Sequence, residues 1–172
     1  MLRSVNPATN KTIANYEEHS PDEINAILNQ TASAQQEWSG SDFKLRSRLM
    51  HQAAAVLRRH SDAFARLITV EMGKPISQSH AEIEKCAKVC EYYADHAEAF
   101  LSNEAIPTEA SLSYIAFQPL GVLLAVMPWN FPFWQVFRFA APALMAGNGA
   151  VLKHASNVTA CGLAIESVFR EA

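Results

Sequence analysis

The sequence predicts an α/β fold in which a group of N-terminal helices precedes the first half of a parallel-sheet domain. The helices are indicated by stretches of helical apolar spacing between start and stop signals, of which Ser20, Pro21 and Glu23 form the most complete. The sheet is indicated by two short apolar runs, at 122–127 and 150–153, each followed by a segment with helical spacing. The order strand, helix, strand, helix is typical of a parallel α/β layer.

The first 110 residues divide into an extended start and a helical part. Residues 1–16 are predicted to form a hairpin or two short strands, because a turn-rich run at 6–10 separates apolar residues. Residues 17–110 are predicted to be the helical part, which ends in a polar, proline-containing connection at 103–110. Helix starts are expected at four places, which are Ser20, the neighbourhood of Asp42, Ser61 or Asp62, and Pro75.

Residues 111–172 carry the predicted sheet. Apolar and polar residues partly alternate over 111–118, as in a strand with one exposed face. The uninterrupted apolar run at 122–127 predicts a strand covered on both faces, and 150–153 predicts a second buried strand. A final helix is expected from 158 to 170. Two parallel strands alone leave open edges, so the sequence predicts a domain that is incomplete at its C-terminus.

Composition excludes several classes of protein. With 49% apolar and 18% charged residues the chain is not a disordered one, and its net charge of −3 argues against nucleic acid as a partner. Three cysteines without a disulfide pattern, and no signal peptide, favour the cytoplasm. The apolar stretch 120–152 is expected to be a buried core rather than a membrane span, because Pro128, Asn130 and Pro132 interrupt it.

The run from Met127 to Pro132 is the candidate functional site, because it follows a predicted buried strand and precedes a helix. Ligands of open α/β sheets bind at such junctions. Pro128 and Pro132 stiffen the backbone on either side of Asn130, so its amide could stabilise a developing oxyanion. Taken alone, the residues favour the alternative, a structural turn in which Asn130 satisfies local backbone groups.

Five motifs together resemble the N-terminal part of the aldehyde dehydrogenase family. They are Asn6-Pro7-Ala8-Thr9, Glu71-Met72-Gly73-Lys74-Pro75, Pro128-Trp129-Asn130-Phe131-Pro132, Ala146-Gly147-Asn148 and Val151-Leu152-Lys153. The resemblance covers essentially the whole chain, in order. The segments 133–138 and 153–158 are most similar to the bacterial succinate-semialdehyde dehydrogenase branch.

This resemblance implies an NAD(P)-dependent oxidation of an aldehyde, here succinate semialdehyde, to a carboxylic acid through a thiohemiacetal on a cysteine. It implies that 111–172 comprise an oligomerisation-like strand and the first half of a Rossmann-like domain that binds NADP or NAD. The catalytic domain, with the nucleophile and the general-base glutamate, would lie downstream of Ala172, so the isolated chain is expected to be inactive. The complete enzyme is expected to be a homo-oligomer.

Two hypotheses besides the working enzyme stay open, a non-catalytic fragment and a dinucleotide-binding module. The chain is either the front part of such an enzyme or a non-catalytic truncated fragment that at most associates with a full-length relative. A dinucleotide-binding module without chemistry is a third reading, and it is the least favoured because half of the cofactor cleft would be missing.

The resemblance also assigns residues to the cofactor. Asn130 matches the asparagine that stabilises the oxyanion, and it belongs to a loop that would line the cofactor cleft, formed by Met127, Pro128, Trp129 and Asn130. Lys153 matches the lysine that contacts the adenosine ribose, in a cofactor-contacting segment that continues with His154, Ala155 and Ser156. Many NAD-preferring relatives carry a glutamate in place of Ser156, so the neutral serine implies that NADP is tolerated or preferred. A helix cap is the equally weighted alternative for Ser156.

The remaining candidates are one arginine and the cysteines. Arg138 is the only charge in an apolar stretch and therefore calls for an anionic partner. The resemblance implies a clamp for the distal carboxylate of succinate semialdehyde, and the alternative is an internal salt bridge. Cys86, Cys90 and Cys161 are expected to pack in the core, because further ligands at metal-binding spacing are missing.

Overall fold

The computed structural model describes all residues from Met1 to Ala172, and it begins with the expected hairpin. Strand β1 (Leu2–Val5) pairs antiparallel with β2 (Thr12–Tyr16). The turn between them closes through Asn6, whose backbone N–H donates to Lys11 O at 2.9 Å. Asn10 takes the left-handed conformation with φ 55°, which asparagine tolerates better than most residues.

Four helices follow at the positions that the local signals predict. They are α1 (Pro21–Ser39), α2 (Phe43–Arg59), α3 (Ser61–Met72) and α4 (Ile76–Phe100). Ser20 and Glu23 form a reciprocal capping box, and Asp42 caps α2 by accepting from Leu45 N at 2.7 Å. Gly73 ends α3 in the left-handed conformation with φ 79°, where a side chain would be strained.

The core lies where α4 packs against α2, α3 and the later helix at 134–145. Cys86, Cys90 and Cys161 are all buried and unpaired, as predicted. Burial raises the pKa of Cys90 to about 12 and raises that of the other two thiols as well. All three cysteines are therefore protonated thiols at neutral pH, which suits packing and not nucleophilic attack.

The segment after α4 is less regular than predicted. Only Glu104–Ala105 (β3) and Tyr114–Ile115 (β4) form strands, and they pair with each other as a short antiparallel hairpin. The alternation over 111–118 thus yields a two-residue strand, with all four strand residues exposed. No other strand pairs with this hairpin.

The parallel α/β unit is confirmed. Strand β5 (Val122–Met127) pairs parallel with β6 (Gly149–His154), with α5 (Trp134–Met145) between them. A single 3₁₀ turn at 156–158 leads into α6 (Thr159–Glu171). None of the helices combines the length and the apolar character that crossing a membrane would require.

The prediction that both strands are fully buried is wrong for this chain. The core covers one face of the sheet, through Ala125, Met127 and Leu152. On the other face Leu124 is 70% exposed and Val126 is 64% exposed. The reason is that α1 contacts β6 more than β5, with Gln35 against Gly149 at the start of β6, and leaves Leu124 and Val126 open to solvent.

Candidate functional site

The candidate site is the loop 128–133, which connects the carboxyl end of β5 to α5. Its tip is exposed and its base is not: Pro128, Trp129 and Asn130 are exposed, whereas Pro132 and Phe133 are buried. The register places Met127 beside His154, so the segment that follows β6 lies at the same edge of the sheet. The structure therefore brings the two predicted cofactor segments together.

The side chain of Asn130 is free. It is exposed and forms no hydrogen bond with any other residue of the chain. The alternative in which Asn130 satisfies backbone groups of its own turn is therefore wrong. An amide that is fixed at the tip of an anchored loop and is not engaged within the chain can donate to a ligand.

A buried glutamate anchors the base of this loop. Glu82 of α4 accepts from the backbone N–H groups of Phe133 at 2.9 Å and Trp134 at 3.0 Å, and so caps the start of α5. Its other oxygen forms an ion pair with Lys74, which is also buried. A buried carboxylate with a cation and two N–H donors is fully compensated, which is the condition for burying such a charge.

Lys74 connects this anchor to the loop itself. Its ammonium lies 3.7 Å from the centre of the Phe131 ring, the residue that follows Asn130. A cation over an aromatic face is favourable, and more so away from water. The motif Glu71-Met72-Gly73-Lys74-Pro75, which the sequence offered only as a resemblance, thus contributes directly to holding the loop.

A second buried glutamate anchors the other helix of the sheet domain. Glu71 accepts from Ala160 N at 3.0 Å, from Cys161 N at 2.9 Å and from Ser4 Oγ at 2.8 Å. The first N–H groups of α5 and α6, where a phosphate usually binds in nucleotide-binding folds, are both taken by carboxylates. The phosphates of a dinucleotide would need other donors.

Sequence reasoning missed the roles of Glu71 and Glu82, although each left a signal. Glu82 lies one and two helical turns before Cys86 and Cys90, on the apolar stripe of α4. Glu71 follows the buried Ile68 by three residues on α3. A carboxylate at an apolar helical position must find donors in the core, and helix N-termini supply them.

Both ring nitrogens of His154 have partners within the chain. Its Nε2 lies 2.9 Å from the carbonyl oxygen of Pro132, and its Nδ1 lies 2.8 Å from Ala155 N. Burial lowers the pKa of this imidazole, which favours the neutral ring that these two bonds require. No ring nitrogen is left for a ligand, so a cofactor contact by His154 would have to come from its backbone.

The other residues of the second segment are open to solvent. Lys153 and Ser156 are exposed, and Ala155 is half-buried. Ser156 provides no side-chain cap to the 3₁₀ turn or to α6, so the capping alternative is wrong. A cationic Lys153 without a carboxylate partner beside a neutral Ser156 suits an anionic ligand.

Arg138 also differs from its expected environment. It lies on α5 with an exposed side chain and takes part in no ion pair, so the internal salt bridge is wrong. The apolar stretch around it is buried on the opposite side of the helix, through Val136 and Ala140. Arg138 is therefore available to an anion outside the chain.

Comparison with known proteins decides the family. The model of the aldehyde dehydrogenase family matches residues 1–172. The chain belongs to the aldehyde dehydrogenase family. The match covers every motif on which the resemblance was based, and it includes both anchoring glutamates.

Several aldehyde dehydrogenases are similar over the whole chain. It is 53% identical over 171 residues to a probable NADP(+) succinate-semialdehyde dehydrogenase of Synechocystis sp., covering 99% of this chain and 38% of that protein. It is 41% identical over 169 residues to the NAD(P)+ succinate semialdehyde dehydrogenase of Escherichia coli, covering 98% of this chain and 37% of that protein. The chain thus spans less than half the length of these relatives.

The fold is equally close to a solved aldehyde dehydrogenase. The crystal structure of succinic semialdehyde dehydrogenase from Streptococcus pyogenes, in complex with NADP+, superposes with a TM-score of 0.95 at 32% identity. The superposition covers 99% of this chain and 38% of that one. The α/β arrangement of helices and parallel strands is therefore that of the N-terminal part of this family.

Proposed function

We propose that this chain supplies the oxyanion-stabilising amide and one half of the NAD(P) cleft of an aldehyde dehydrogenase that oxidises succinate semialdehyde. The observation that carries the proposal is the free amide of Asn130, held at the sheet edge by a loop with a buried base. In this reaction an aldehyde and water give a carboxylic acid, while a hydride moves to NAD(P)+ and one proton is released.

The chain's own residues do three things in this proposal. The Asn130 amide donates a hydrogen bond to the oxygen that becomes negative when a nucleophile attacks the aldehyde carbon. Arg138 attracts the distal carboxylate, and Lys153 with Ser156 would hold the adenosine ribose or its phosphate. The cofactor, when bound, accepts the hydride that leaves the aldehyde carbon.

The nucleophile is proposed to come from outside these residues. Cys86, Cys90 and Cys161 are buried thiols with raised pKa values, so none of them has the exposed thiolate that the attack needs. We therefore expect the 172-residue chain alone to form no NAD(P)H from an aldehyde. The division into 1–16, 17–110 and 111–172, the homo-oligomer and the cytoplasmic location stay predictions.

The experiment uses a chimera in which this chain replaces the matching N-terminal part of the Synechocystis relative. In the chimera Asn130→Ala should lower kcat about 100- to 1000-fold, since that is the usual effect of losing one oxyanion donor. Asn29→Ala, which removes an exposed asparagine of α1, is the control and should leave kcat unchanged. An Asn130→Ala variant with the kcat of the control would overturn the proposed role.

A second candidate function is a non-catalytic fragment that associates with a full-length relative. The observation in its favour is the apolar face of β5, on which Leu124 and Val126 remain exposed. Turnover in the chimera, combined with loss of turnover in its Asn130→Ala variant, would show that the chain retains its part of the active site and would favour the enzyme.

A further inference from the structure

One peptide unit at the base of the Asn130 loop is held from both sides. The carbonyl of Pro132 lies 2.9 Å from Nε2 of His154, and the N–H of Phe133 donates to Glu82 at 2.9 Å. These two groups belong to the same planar unit, the peptide between Pro132 and Phe133. Two hydrogen bonds on opposite edges of a plane fix its rotation about the chain direction.

The hydrogen bonds also fix the tautomer of the ring. Ala155 N donates to Nδ1 of His154 at 2.8 Å, so Nδ1 carries no proton. Nε2 then carries the proton and donates it to Pro132, which is the only arrangement that satisfies both bonds with a neutral imidazole. The ring thereby links the carboxyl end of β6 to the loop that leaves β5.

Because the Pro132–Phe133 peptide is fixed, the orientation of Asn130 is constrained as well. Pro132 lies two residues after Asn130, and its ring fixes one of the two backbone dihedrals at this position. If the Pro132–Phe133 peptide rotated, Phe131 and Asn130 would therefore move with it, because the fixed proline dihedral cannot compensate for the rotation. Phe131 is held in turn by the ammonium of Lys74.

We propose that His154 is a positioning residue, which in its neutral form fixes the Pro132–Phe133 peptide and so sets the direction in which Asn130 presents its amide. The inference rests on the proposed role of Asn130 as oxyanion donor. It goes beyond that role because it assigns the alignment of the donor to a side chain that does not touch the substrate.

Protonation of the ring would undo this arrangement. A proton on Nδ1 would face the N–H of Ala155, so the bond to Ala155 would be lost and the ring would move. The charged groups near the ring are the Glu71 carboxylate from α3, which favours the protonated form, and the Lys153 ammonium on its own strand, which disfavours it. Burial outweighs the carboxylate and lowers the pKa of His154.

The test compares two variants that each keep one of the two hydrogen bonds made by the imidazole. In His154→Gln the amide N–H can still donate to Pro132, whereas in His154→Asn the shorter side chain offers an oxygen to Ala155 and no donor to Pro132. In the chimera, His154→Asn should lower kcat about 10- to 100-fold with KM unchanged, because a small misplacement of a catalytic group costs about that much. His154→Gln should retain most of the kcat.

A merely structural role predicts a different pattern. In that case both variants would lower thermal stability, and neither would lower kcat while leaving KM unchanged. Equal kcat values for His154→Gln and His154→Asn would therefore overturn the inference. His19→Asn, which changes an exposed histidine, is the control. Thermal unfolding of each variant shows whether a lost kcat reflects lost folding.

A pH profile supplies a readout that does not depend on His154→Asn being folded. The ratio of kcat in His154→Gln to kcat in the unaltered chimera should rise as the pH falls through the lowered pKa of His154, because the imidazole gains a proton there and the glutamine amide does not. A flat ratio would overturn the inference. An unchanged kcat in Asn130→Ala would instead remove the proposed function, so the two failures are distinguishable.

Discussion

Single residues at the sheet edge and on α5 are the proposed determinants of cofactor and substrate choice. Ser156 is exposed and caps no helix, and the neighbouring Lys153 is exposed without an ion-pair partner. Arg138 is likewise exposed and unpaired on α5. Exposed charges without partners contribute little to stability, which leaves them free to bind anions. Each of these residues can be changed without removing a contact that the fold needs.

Ser156 offers the test of cofactor choice. In the chimera, Ser156→Glu should lower kcat/KM with NADP relative to NAD by about 10-fold or more, because a like charge beside the 2′-phosphate costs several kcal/mol. Ser156→Gln has nearly the same shape without the charge, so it should leave the ratio close to that of serine. Steady-state kinetics with both cofactors measures this, and an equal loss in both variants would mean that size and not charge matters.

Arg138 offers the test of substrate choice. Arg138→Ala should raise KM for succinate semialdehyde about 10- to 100-fold, since losing one partner of a charge pair costs about 2 kcal/mol or more. KM for an uncharged aldehyde such as butyraldehyde should stay the same. Arg138→Lys keeps the charge and should show an intermediate KM. Similar increases for both aldehydes in Arg138→Ala would show that the arginine is no clamp.

At the scale of secondary-structure elements, the helical part positions the sheet domain through two buried carboxylates. Glu82 of α4 starts α5, and Glu71 of α3 starts α6. The helices that follow β5 and β6 are therefore fixed at their first turns, next to the strand ends that carry the candidate site. Stability of this packing and alignment of the site depend on the same contacts.

Removing one charge from this arrangement should be costly. Glu82→Gln leaves the buried Lys74 without its partner and should lower the free energy of unfolding by about 3 to 5 kcal/mol. The double variant Glu82→Gln with Lys74→Met removes the unpaired charge and should recover part of that loss. Urea unfolding followed by far-UV circular dichroism measures both. A double variant less stable than Glu82→Gln alone would contradict the pairing argument.

The elements differ in how far the sequence predicts them. Ser20, Asp42 and Gly73 act within three or four residues, so the helix boundaries that they set could be predicted locally. The bond from Glu71 to Cys161 spans 90 residues, and no local pattern encodes it. The exposure of Leu124 depends on how far α1 extends over β5, which is likewise set by tertiary packing. The Asn130 loop was found from its prolines, but its anchors were not.

At the scale of the whole molecule, large apolar side chains are exposed on several elements, among them α1, the β3–β4 hairpin and β5. Helix α1 buries no residue and exposes Ile24 and Leu28. The β3–β4 hairpin exposes Leu112 and Tyr114, and the outer face of β5 exposes Leu124. Exposed apolar surfaces of this kind are typical of sites where other protein packs, and the chain spans 38% of its relative.

The 172-residue chain by itself should therefore self-associate through the β5 face. The two-stranded sheet has open edges beside this apolar face, the combination that promotes pairing with another chain. Leu124→Lys with Val126→Lys should reduce the association seen as a concentration-dependent rise in sedimentation coefficient, because two ammonium groups on this face repel a second copy. The core lies behind the opposite face and should keep its thermal unfolding transition.

Leu163→Lys is the matched control for this prediction. Leu163 is 52% exposed on α6, away from the strand face, so a lysine there adds charge without changing the face of β5. Self-association should persist in Leu163→Lys and be lost only in the strand variant. An unaltered chain that sediments as a monomer at every concentration, or an equal effect of both changes, would show that the exposed strand face does not drive association.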